Sequence, residues 1–456
     1  MSGDAVELGE KALRAIAEKA LRAARGDQVE AVVIARNDSL TRFANAAIHQ
    51  NVSSRVIDLR VRVVKGKRVA TLATDRIDEE GIRAVAEQAS ALCAIVPENP
   101  DFGGLPEPAP IPSAPSAFVD GTARATPRDR ALAVKQVCDA ARGKGLRAAG
   151  FVSTNVQELA VASSLGIWAY GPQTTCEVQV AAIGDAGSAF GQRVSTDFAT
   201  LDVRAASDEA IRKALLAQGP RDLAPGDHEV VLEPYAVYDI VGFLCGQLTG
   251  LAVEEGRSFV GGRLGQQVTG PVTIVDDPFD RAGLPRAFDF EGRPSQALTL
   301  IDTGVARAIV YDSATARRAG ARPTGHALPA NAFMPAAPMH RRLEAGTRSR
   351  DELIKDCRRG VLVTRFWYTR WVHQLRTIVT GMTRDGTFAI VDGEIAYPVK
   401  NFRFTQSYHE ALQGVRGIGS ELSLLVAGEA FGLQAISARV PALHLASFTF
   451  TGATQY

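Results

Sequence analysis

The sequence predicts an α+β protein, with an N-terminal α/β domain of antiparallel sheet and helices and a C-terminal domain that is mostly antiparallel β. Apolar residues recur at helical spacing near the N-terminus and again after Asp78. Between Arg55 and Val64 they alternate with charged residues, as in a half-buried strand. Beyond Val268 the chain reads as short strand segments separated by turns. With 456 residues, 46% of them hydrophobic, two or three domains are expected.

The N-terminal domain is assigned to residues 1–222, and its elements follow from spacing and capping. Asp78 and Thr126 are expected N-caps, and Pro127 suits the first position of a helix. Residues 97–117 hold seven of the 22 prolines, so this stretch is expected to run extended as a strap over the domain. The assigned elements are a helix at 5–25, strands at 30–36, 55–64 and 68–74, a helix at 78–96, a helix at 126–143, strands within 151–183 and a helix at 207–218.

The C-terminal domain is assigned to residues 223–456, after a boundary at Gly219–Gly226. It opens with a short strand at 229–232 and a helix at 235–251. Asp385–Gly386 is the pattern of a tight hairpin.

The helix at 235–251 carries glycines at every fourth position, namely Gly242, Gly246 and Gly250. Each glycine costs a helix about 1 kcal/mol relative to alanine. Another backbone or a ligand is therefore expected to approach this face closely, and packing is the favoured interpretation.

Charge and composition exclude several classes of protein. The 51 basic and 50 acidic residues leave a net charge of +1, which argues against a nucleic-acid partner. The N-terminus lacks the basic start and apolar core of a signal peptide. Asp239 interrupts the most apolar stretch, so no membrane association is expected. Five cysteines without a CxxC motif favour reduced thiols and a cytoplasmic location.

The residues that commonly carry catalysis form no motif. No GxSxG or Walker sequence is present, and no two of the seven histidines lie closer than 14 residues, which excludes HExxH. A zinc site assembled from His326, His340 and Cys357 remains an alternative. Six carboxylates at the start of the second domain are expected to be solvated loop acids. They are Asp276, Asp277, Asp280, Asp289, Glu291 and Asp302.

Several segments resemble the signature of the TldD/PmbA family, once called modulators of DNA gyrase. The resemblance rests chiefly on Phe288–Pro294, Leu298–Gly304 and Ile309–Arg317. Three further blocks agree with it, and the likeness covers nearly the whole chain. The further blocks are 351–354 with 360–365, 383–388 with 392–395, and 398–404.

Family members with the TldD role are zinc proteases whose metal lies on a helix carrying HExxxH, with a cysteine ligand near the C-terminus. The equivalent helix here is 235–251, which places Val241 and Gly246 at the two histidine positions and Gly242 at the glutamate position. None of these can bind zinc or transfer a proton. Residues 427–433 contain no cysteine, so the chain resembles the PmbA/TldE-type subunit, for which no catalytic residue, no metal and no cofactor are expected.

The resemblance implies a metal-free subunit of a heterodimeric zinc metalloprotease that degrades or processes unfolded or modified peptides. The zinc would belong to a TldD-like, HExxxH-bearing partner, and the chain alone would not be catalytic. The alternative is a homodimeric peptide-binding or regulatory protein without proteolytic activity. A third possibility is new chemistry in this chain, for which only His326, Arg365 and Arg403 are nominated. Together with Gly250, these are also the candidate contacts for peptide or partner.

Overall fold

The computed structural model describes residues 8–330, 332–426 and 436–453. Its N-terminal region contains one six-stranded antiparallel sheet in the order β3-β2-β1-β4-β5-β6. The elements are α1 (Glu10–Ala23), β1 (Gln28–Ala44), β2 (Ala47–Lys65), β3 (Arg68–Thr74), α2 (Glu79–Ile95), α3 (Asp120–Ala123), α4 (Pro127–Arg142), β4 (Arg147–Ser163), β5 (Trp168–Ile183), β6 (Ser188–Ser195) and α5 (Val203–Leu216).

Both faces of this sheet are covered. Alternate residues of β1 point to opposite sides, as the period of two in a strand requires. Ala31 and Val33 pack against α1 and α2, whereas Val32 and Ile34 pack against residues of the C-terminal region. The second contact is made by Phe288, Phe290, Leu328, Ala337 and Met339. The sheet therefore links the two regions through one of its apolar faces.

Local capping explains where the helices begin. The Asp78 carboxylate accepts a hydrogen bond from the Gly81 N–H at 2.6 Å, and Thr126 forms a capping box with Asp129. The proline-rich segment forms no helix beyond Val96 until α3, and its Leu105 is buried and donates its N–H to Gln28. Strands β1 and β2 extend further than predicted, because their pairing continues through exposed polar residues where no hydrophobic alternation marks it.

The C-terminal region contains two sheets. One has the order β10-β9-β8-β11-β18-β17, and the other has the order β12-β7-β19-β15-β13-β14, closed by pairing of β12 with β13. The elements are β7 (Gly226–Leu232), α6 (Pro234–Cys245), α7 (Gly250–Glu254), β8 (Ile274–Asp276), β9 (Leu298–Asp302), β10 (Val305–Ala306), α8 (Ser313–Arg318), β11 (His340–Leu343), α9 (Arg350–Asp356), β12 (Arg359–His373), β13 (Ile378–Val391), β14 (Glu394–Pro398), β15 (Phe402–Ser407), α10 (Tyr408–Gln413), β16 (Val415–Ile418), β17 (Ser423–Val426), β18 (Ser437–Val440) and β19 (Leu443–Ala453).

Most strand pairs of this region are antiparallel, and the exceptions among the described strands are β11 with β18 and β7 with β12. The predicted α+β class, with antiparallel sheet in the N-terminal region and a β-rich C-terminal part, is confirmed. Helix α6 lies in the largest apolar core of the region.

The predicted hairpin at Asp385–Gly386 is wrong. Strand β13 continues through both residues, which have φ of 55° and 114° and lie opposite the single residue Thr364 as a β-bulge. An Asp-Gly pair supplies the positive φ that both a tight hairpin and a bulge need, so its sequence does not distinguish them.

Among the helices of the described residues, none is long and apolar enough to cross a membrane.

Candidate functional site

The predicted single helix at 235–251 is two helices. Helix α6 ends at Cys245, and α7 begins at Gly250. Gly246 forms the C-cap of α6, and the Thr249 hydroxyl accepts a hydrogen bond from the Ala252 N–H to cap α7. The chain turns between these caps, so the three glycines do not share one helical face.

The sequence analysis assigned Val241, Gly242 and Gly246 to the positions of the metal motif, and none of these three residues has a side chain that could bind a metal. Val241 is fully buried in the apolar core, and Gly246 serves as a cap. A Cβ on Gly242 would lie 3.6 Å from Nη1 of Arg341, a buried guanidinium that also donates to the Pro338 carbonyl. The Arg341 guanidinium therefore lies beside Gly242, the residue that the sequence analysis assigned to the glutamate position. Residues 427–433, where the family's cysteine would be sought, lie outside the described residues.

Close packing is found at only one of the three glycines. A Cβ on Gly250 would come within 2.4 Å of the Tyr311 ring, whereas a Cβ on Gly242 or Gly246 would meet only ordinary contacts. The expected close approach is thus confirmed at Gly250 and wrong at the other two positions.

Helix α6 also carries a carboxylate, Asp239, that has no cationic partner among the residues the structure describes. Asp239 accepts hydrogen bonds from the Thr369 and Tyr408 hydroxyls, each at 2.7 Å. Burial raises the pKa of Asp239 to about 6, although both hydroxyls favour the charged form.

The histidines proposed for zinc, together with Asp276, form what we call the Asp276 cluster. His326 Nε2 lies 3.0 Å from Asp276 Oδ2, and the His340 N–H donates to Oδ1 at 2.7 Å. Burial alone would raise the pKa of Asp276, but hydrogen bonds and electrostatic attraction to His326 and His340 outweigh it and hold this pKa well below its usual value. The cluster is buried, and its carboxylate is fully engaged.

Cys357 belongs to a different group, the Cys357 cluster, with Glu229 and His444. One ligand atom from each of the three lies within 4.8 Å of the others. Within the described ranges, His326, His340 and Cys357 form no such group. The sequence analysis missed Glu229 and His444, which are 215 residues apart and meet only because β7 pairs with β19.

The remaining nominated residues do not converge. Arg365 forms an ion pair with Asp385, which also accepts from the Ser188 hydroxyl of β6 at 2.7 Å. Arg403 is exposed on β15, while His326 and Gly250 are buried. Arg365 thus joins the two regions, and Arg403 is the most accessible of the four.

The first and third signature segments of the sequence meet in one groove of about 890 Å³, which we call the signature groove. Glu291 and Arg293 of the first segment and Asp312 and Ser313 of the third line it, and Arg62 of β2 enters from the N-terminal sheet. Edge strand β3, the strap and apolar residues complete the wall; these are Val69, Thr71, Phe102, Leu105, Leu251, Leu328 and Phe333.

The signature groove is lined by charged side chains of both signs, and several carboxylates lie at or near its wall. The lining charges are Arg62, Glu107, Glu291, Arg293, Asp312 and Arg317. Arg62 lies between Glu30, at 3.2 Å, and Glu291, at 3.9 Å, and Glu291 also accepts two hydrogen bonds from Ser313. Burial raises the pKa of Glu30 to about 7, and burial together with the charge of Glu291 raises that of Asp289 to about 7. The expectation of solvated loop acids is wrong for Asp276, Asp289 and Glu291, because backbone N–H groups and neighbouring side chains replace water around them.

A larger cleft of about 1010 Å³ lies beside α5. Its central charges neutralise one another, since Glu233 forms ion pairs with both Lys213 and Arg350. We therefore regard the signature groove as the stronger candidate site.

The chain is similar to known proteins over most of its length. Three domain profiles of one family match the chain: PmbA/TldA metallopeptidase domain 1 at residues 29–93, the central domain at 122–218 and the C-terminal domain at 225–452. The chain belongs to the PmbA/TldD metallopeptidase family. The domain 1 and central-domain profiles cover the N-terminal sheet and its helices, and the C-terminal profile covers the two C-terminal sheets.

Relatives in the PmbA/TldD family agree with this membership. A metalloprotease of Methanothermobacter thermautotrophicus is 30% identical over 216 residues, or 44% of each chain. Metalloprotease PmbA of Escherichia coli O157:H7 is 25% identical over 219 residues, 47% of this chain and 46% of the relative. The chain thus matches less than half the length of these curated relatives.

Solved structures show the same fold. The crystal structure of TldE from Thermococcus kodakarensis superimposes with a TM-score of 0.87 at 19% identity, covering 96% of this chain and all of that one.

Proposed function

We propose that this chain is the subunit without catalytic zinc in a cytoplasmic TldD/TldE-type heterodimeric metalloprotease, and that its signature groove binds an extended peptide. A TldD-like partner with HExxxH would supply the zinc and the cleavage. The observation that carries the proposal is α6, whose metal-motif positions are Val241, Gly242 and Gly246 with Arg341 beside them. Membership of a metallopeptidase family supports the assembly.

The signature groove supports the peptide part of the proposal. It is lined by edge strand β3, whose outer side can add a main-chain ladder to an extended peptide. Apolar Phe102 and Phe333 and the carboxylates Glu291 and Asp312 offer both kinds of contact to side chains. A groove that binds backbone and mixed side chains suits unfolded or modified peptides of varied sequence.

The end of the β12–β13 hairpin offers a surface for the partner. Four large apolar or aromatic side chains are exposed there, more than a monomer needs on one short element. They are Trp367, Tyr368, Val372 and Leu375.

The test is co-purification with an HExxxH-bearing relative from the same genome, followed by cleavage of an unstructured peptide. We expect the pair to cleave and each subunit alone to be inactive. Val372→Glu should weaken association, because it places a charge in the apolar surface, while the exposed Leu132→Glu in the N-terminal region should leave association unchanged. Cleavage by this chain alone would contradict the proposal.

Peptide binding is tested separately with Phe333→Ser. Phe333 is 87% exposed and lines the groove, so its loss should raise KM for peptide without lowering stability. Ile95→Ser is the matched control, because Ile95 is 80% exposed and lies outside the groove lining. Equal effects of the two substitutions would exclude the groove as the peptide site.

The alternative is a homodimeric peptide-binding or regulatory protein without proteolytic activity. The exposed apolar surface at the end of the β12–β13 hairpin would then join two copies of this chain. Failure to associate with the HExxxH-bearing relative, combined with tight peptide binding by this chain alone, would establish the alternative.

A further inference from the structure

The Cys357 cluster brings three kinds of metal-binding side chain together from three separate elements. Glu229 lies on β7, Cys357 directly follows α9, and His444 lies on β19. Their ligand atoms are within 4.8 Å of one another, and in the part of the chain that the structure describes this is the one such group of three.

The sheet holds these residues in place before any ligand arrives. Glu229 pairs with Gly360 of β12, and His444 lies between Val231 of β7 and Gly417 of β16. Regular strands position ligands more rigidly than loops do. The Cys357 N–H donates to the Ile354 carbonyl at the end of α9, which fixes the start of the cysteine side chain.

Gly360 leaves the space that the thiol occupies. A Cβ at this position would lie 2.4 Å from Cys357 Sγ and 2.4 Å from the Glu229 carbonyl oxygen. Real side chains do not tolerate such distances, so the arrangement of Cys357 and Glu229 requires glycine here.

We propose that Glu229, Cys357 and His444 bind a divalent cation of the zinc class. One thiolate, one imidazole and one carboxylate are the donor types of zinc sites, and three protein ligands leave a fourth position for water. Cys357 and His444 are buried, whereas the side chain of Glu229 is 18% exposed and gives the ion a path from solvent.

Binding displaces contacts that the cluster makes without the ion. Glu229 Oε1 accepts from His444 Nε2 at 2.7 Å and from Arg416 Nη1 at 2.5 Å. The Arg416 side chain is 53% exposed and can turn into water, which leaves the carboxylate for the ion. The thiol loses its proton to solvent as the sulfur–metal bond forms, so one proton is released and no electron is transferred.

This site is independent of the proposed function. It lies on β7, α9 and β19, not on α6, and needs neither a partner subunit nor a peptide. Its effect is to tie two strands and a helix end together, so the ion stabilises the fold of this chain through its preference for the native state.

The experiment uses the full chain purified alone, stripped with a chelator and then titrated with Zn²⁺ and Co²⁺. We expect one ion per chain and the absorption of a cobalt–thiolate bond. Cys357→Ser should abolish that absorption and weaken Zn²⁺ binding by about tenfold or more, while Cys138→Ser, a buried cysteine of α4, should change neither.

Arg416→Ser provides the readout that a merely structural cluster would not give. Removing the competing cation should strengthen Zn²⁺ binding, and His444→Gln should weaken it. If Cys357→Ser does not fold, His444→Gln and Arg416→Ser decide the question. Absence of the thiolate absorption, unchanged Zn²⁺ affinity in His444→Gln, or unchanged affinity in Arg416→Ser would overturn the proposal. Because no peptide is cleaved in this experiment, its result is separate from that of the heterodimer test.

Discussion

The Asp276 cluster and the Cys357 cluster contain a histidine against a carboxylate, yet they differ in how complete they are. In the first, His326 and the His340 backbone occupy both oxygens of a fully buried Asp276. In the second, Glu229 faces solvent beside the half-exposed Arg416. Nearby, Cys357 makes no hydrogen bond through its thiol with any described residue, whereas Cys93 and Cys176 do.

The difference teaches that ligand-type residues alone do not indicate a metal site. A carboxylate whose partners are all inside the protein acts as a structural centre, because any change leaves buried groups unpaired. A carboxylate with an exposed and exchangeable partner can accept a new ligand. The contrast predicts different costs of substitution in the two places.

The largest effect is expected at Asp276. Asp276→Ala removes a buried charged acceptor and leaves His326 Nε2 and the His340 N–H unpaired, which should lower the free energy of unfolding by about 3–5 kcal/mol. Glu229→Ala should cost about 1–3 kcal/mol, because it leaves the buried His444 Nε2 without its partner, whereas water reaches Arg416. Asp277→Ala, which loses a partly exposed ion pair with Arg342, is the control and should cost no more than about 1 kcal/mol. Denaturant unfolding measures all three, and equal losses at Asp276 and Glu229 would break the comparison.

A pH experiment compares Asp239, a buried carboxylate with hydroxyl partners, with Asp276, a buried carboxylate beside histidines. Burial raises the folded-state pKa of Asp239 from 3.8 to about 6, because its two hydroxyl partners do not offset it, whereas the pKa of Asp276 is lowered. Between the unfolded-state pKa of Asp239, 3.8, and its folded-state pKa of about 6, the folded protein binds more protons than the unfolded protein. The free energy of unfolding therefore falls as pH rises through this range. Wild type should lose up to about 3 kcal/mol relative to Asp239→Asn between about pH 4 and pH 7.

The measurement is denaturant unfolding of both proteins across this pH range. Asp276 contributes with the opposite sign, since its stabilisation is present above its unfolded-state pKa and is lost as pH falls toward its lowered pKa in the fold. A difference between wild type and Asp239→Asn that stays constant with pH would show that Asp239 is charged throughout.

The glycines of α6 and α7 also differ in how closely other residues pack against them, and smaller effects on stability are expected there. Gly250→Ala should cost about 1–3 kcal/mol, because the new Cβ overlaps the Tyr311 ring. Gly242→Ala should be neutral or stabilising by up to about 1 kcal/mol, since its Cβ meets Arg341 at an ordinary distance and alanine favours the helix. Thermal unfolding of the two variants measures this, and a destabilised Gly242→Ala would show that α6 does need a bare face.

Local signals in the sequence predicted much of the fold. Asp78 and the Thr126–Asp129 box mark helix starts that lie where they were expected, because a cap depends only on residues within one turn. The break after α6 was missed, although Thr249 ahead of Gly250 is a capping signal, because glycines at regular spacing look the same in one helix and across a turn.

The site residues likewise divide into those that a local sequence pattern can predict and those that depend on contacts between distant segments. Val241, Gly242 and Gly246 were assigned by aligning one helix with a motif that is contiguous in sequence, and this assignment stays a prediction. Glu229 and His444 could not be found in this way, because their contact depends on β7 pairing with β19. Burial of Asp289 and Glu291 depends likewise on the N-terminal sheet covering them, which no local pattern reports.

The two-sided burial of the N-terminal sheet has a consequence for the order of synthesis. The face formed by Val32, Ile34, Leu159 and Val161 is covered by Phe288 and residues beyond it, and Phe288 follows Ile183, the end of β5, by 105 residues. Because synthesis proceeds at about 5–20 residues per second, this apolar face stays exposed for on the order of ten seconds before the residues that cover it are made. The nascent chain during that interval is a natural client for a chaperone, and a truncated N-terminal fragment carries the same uncovered face permanently.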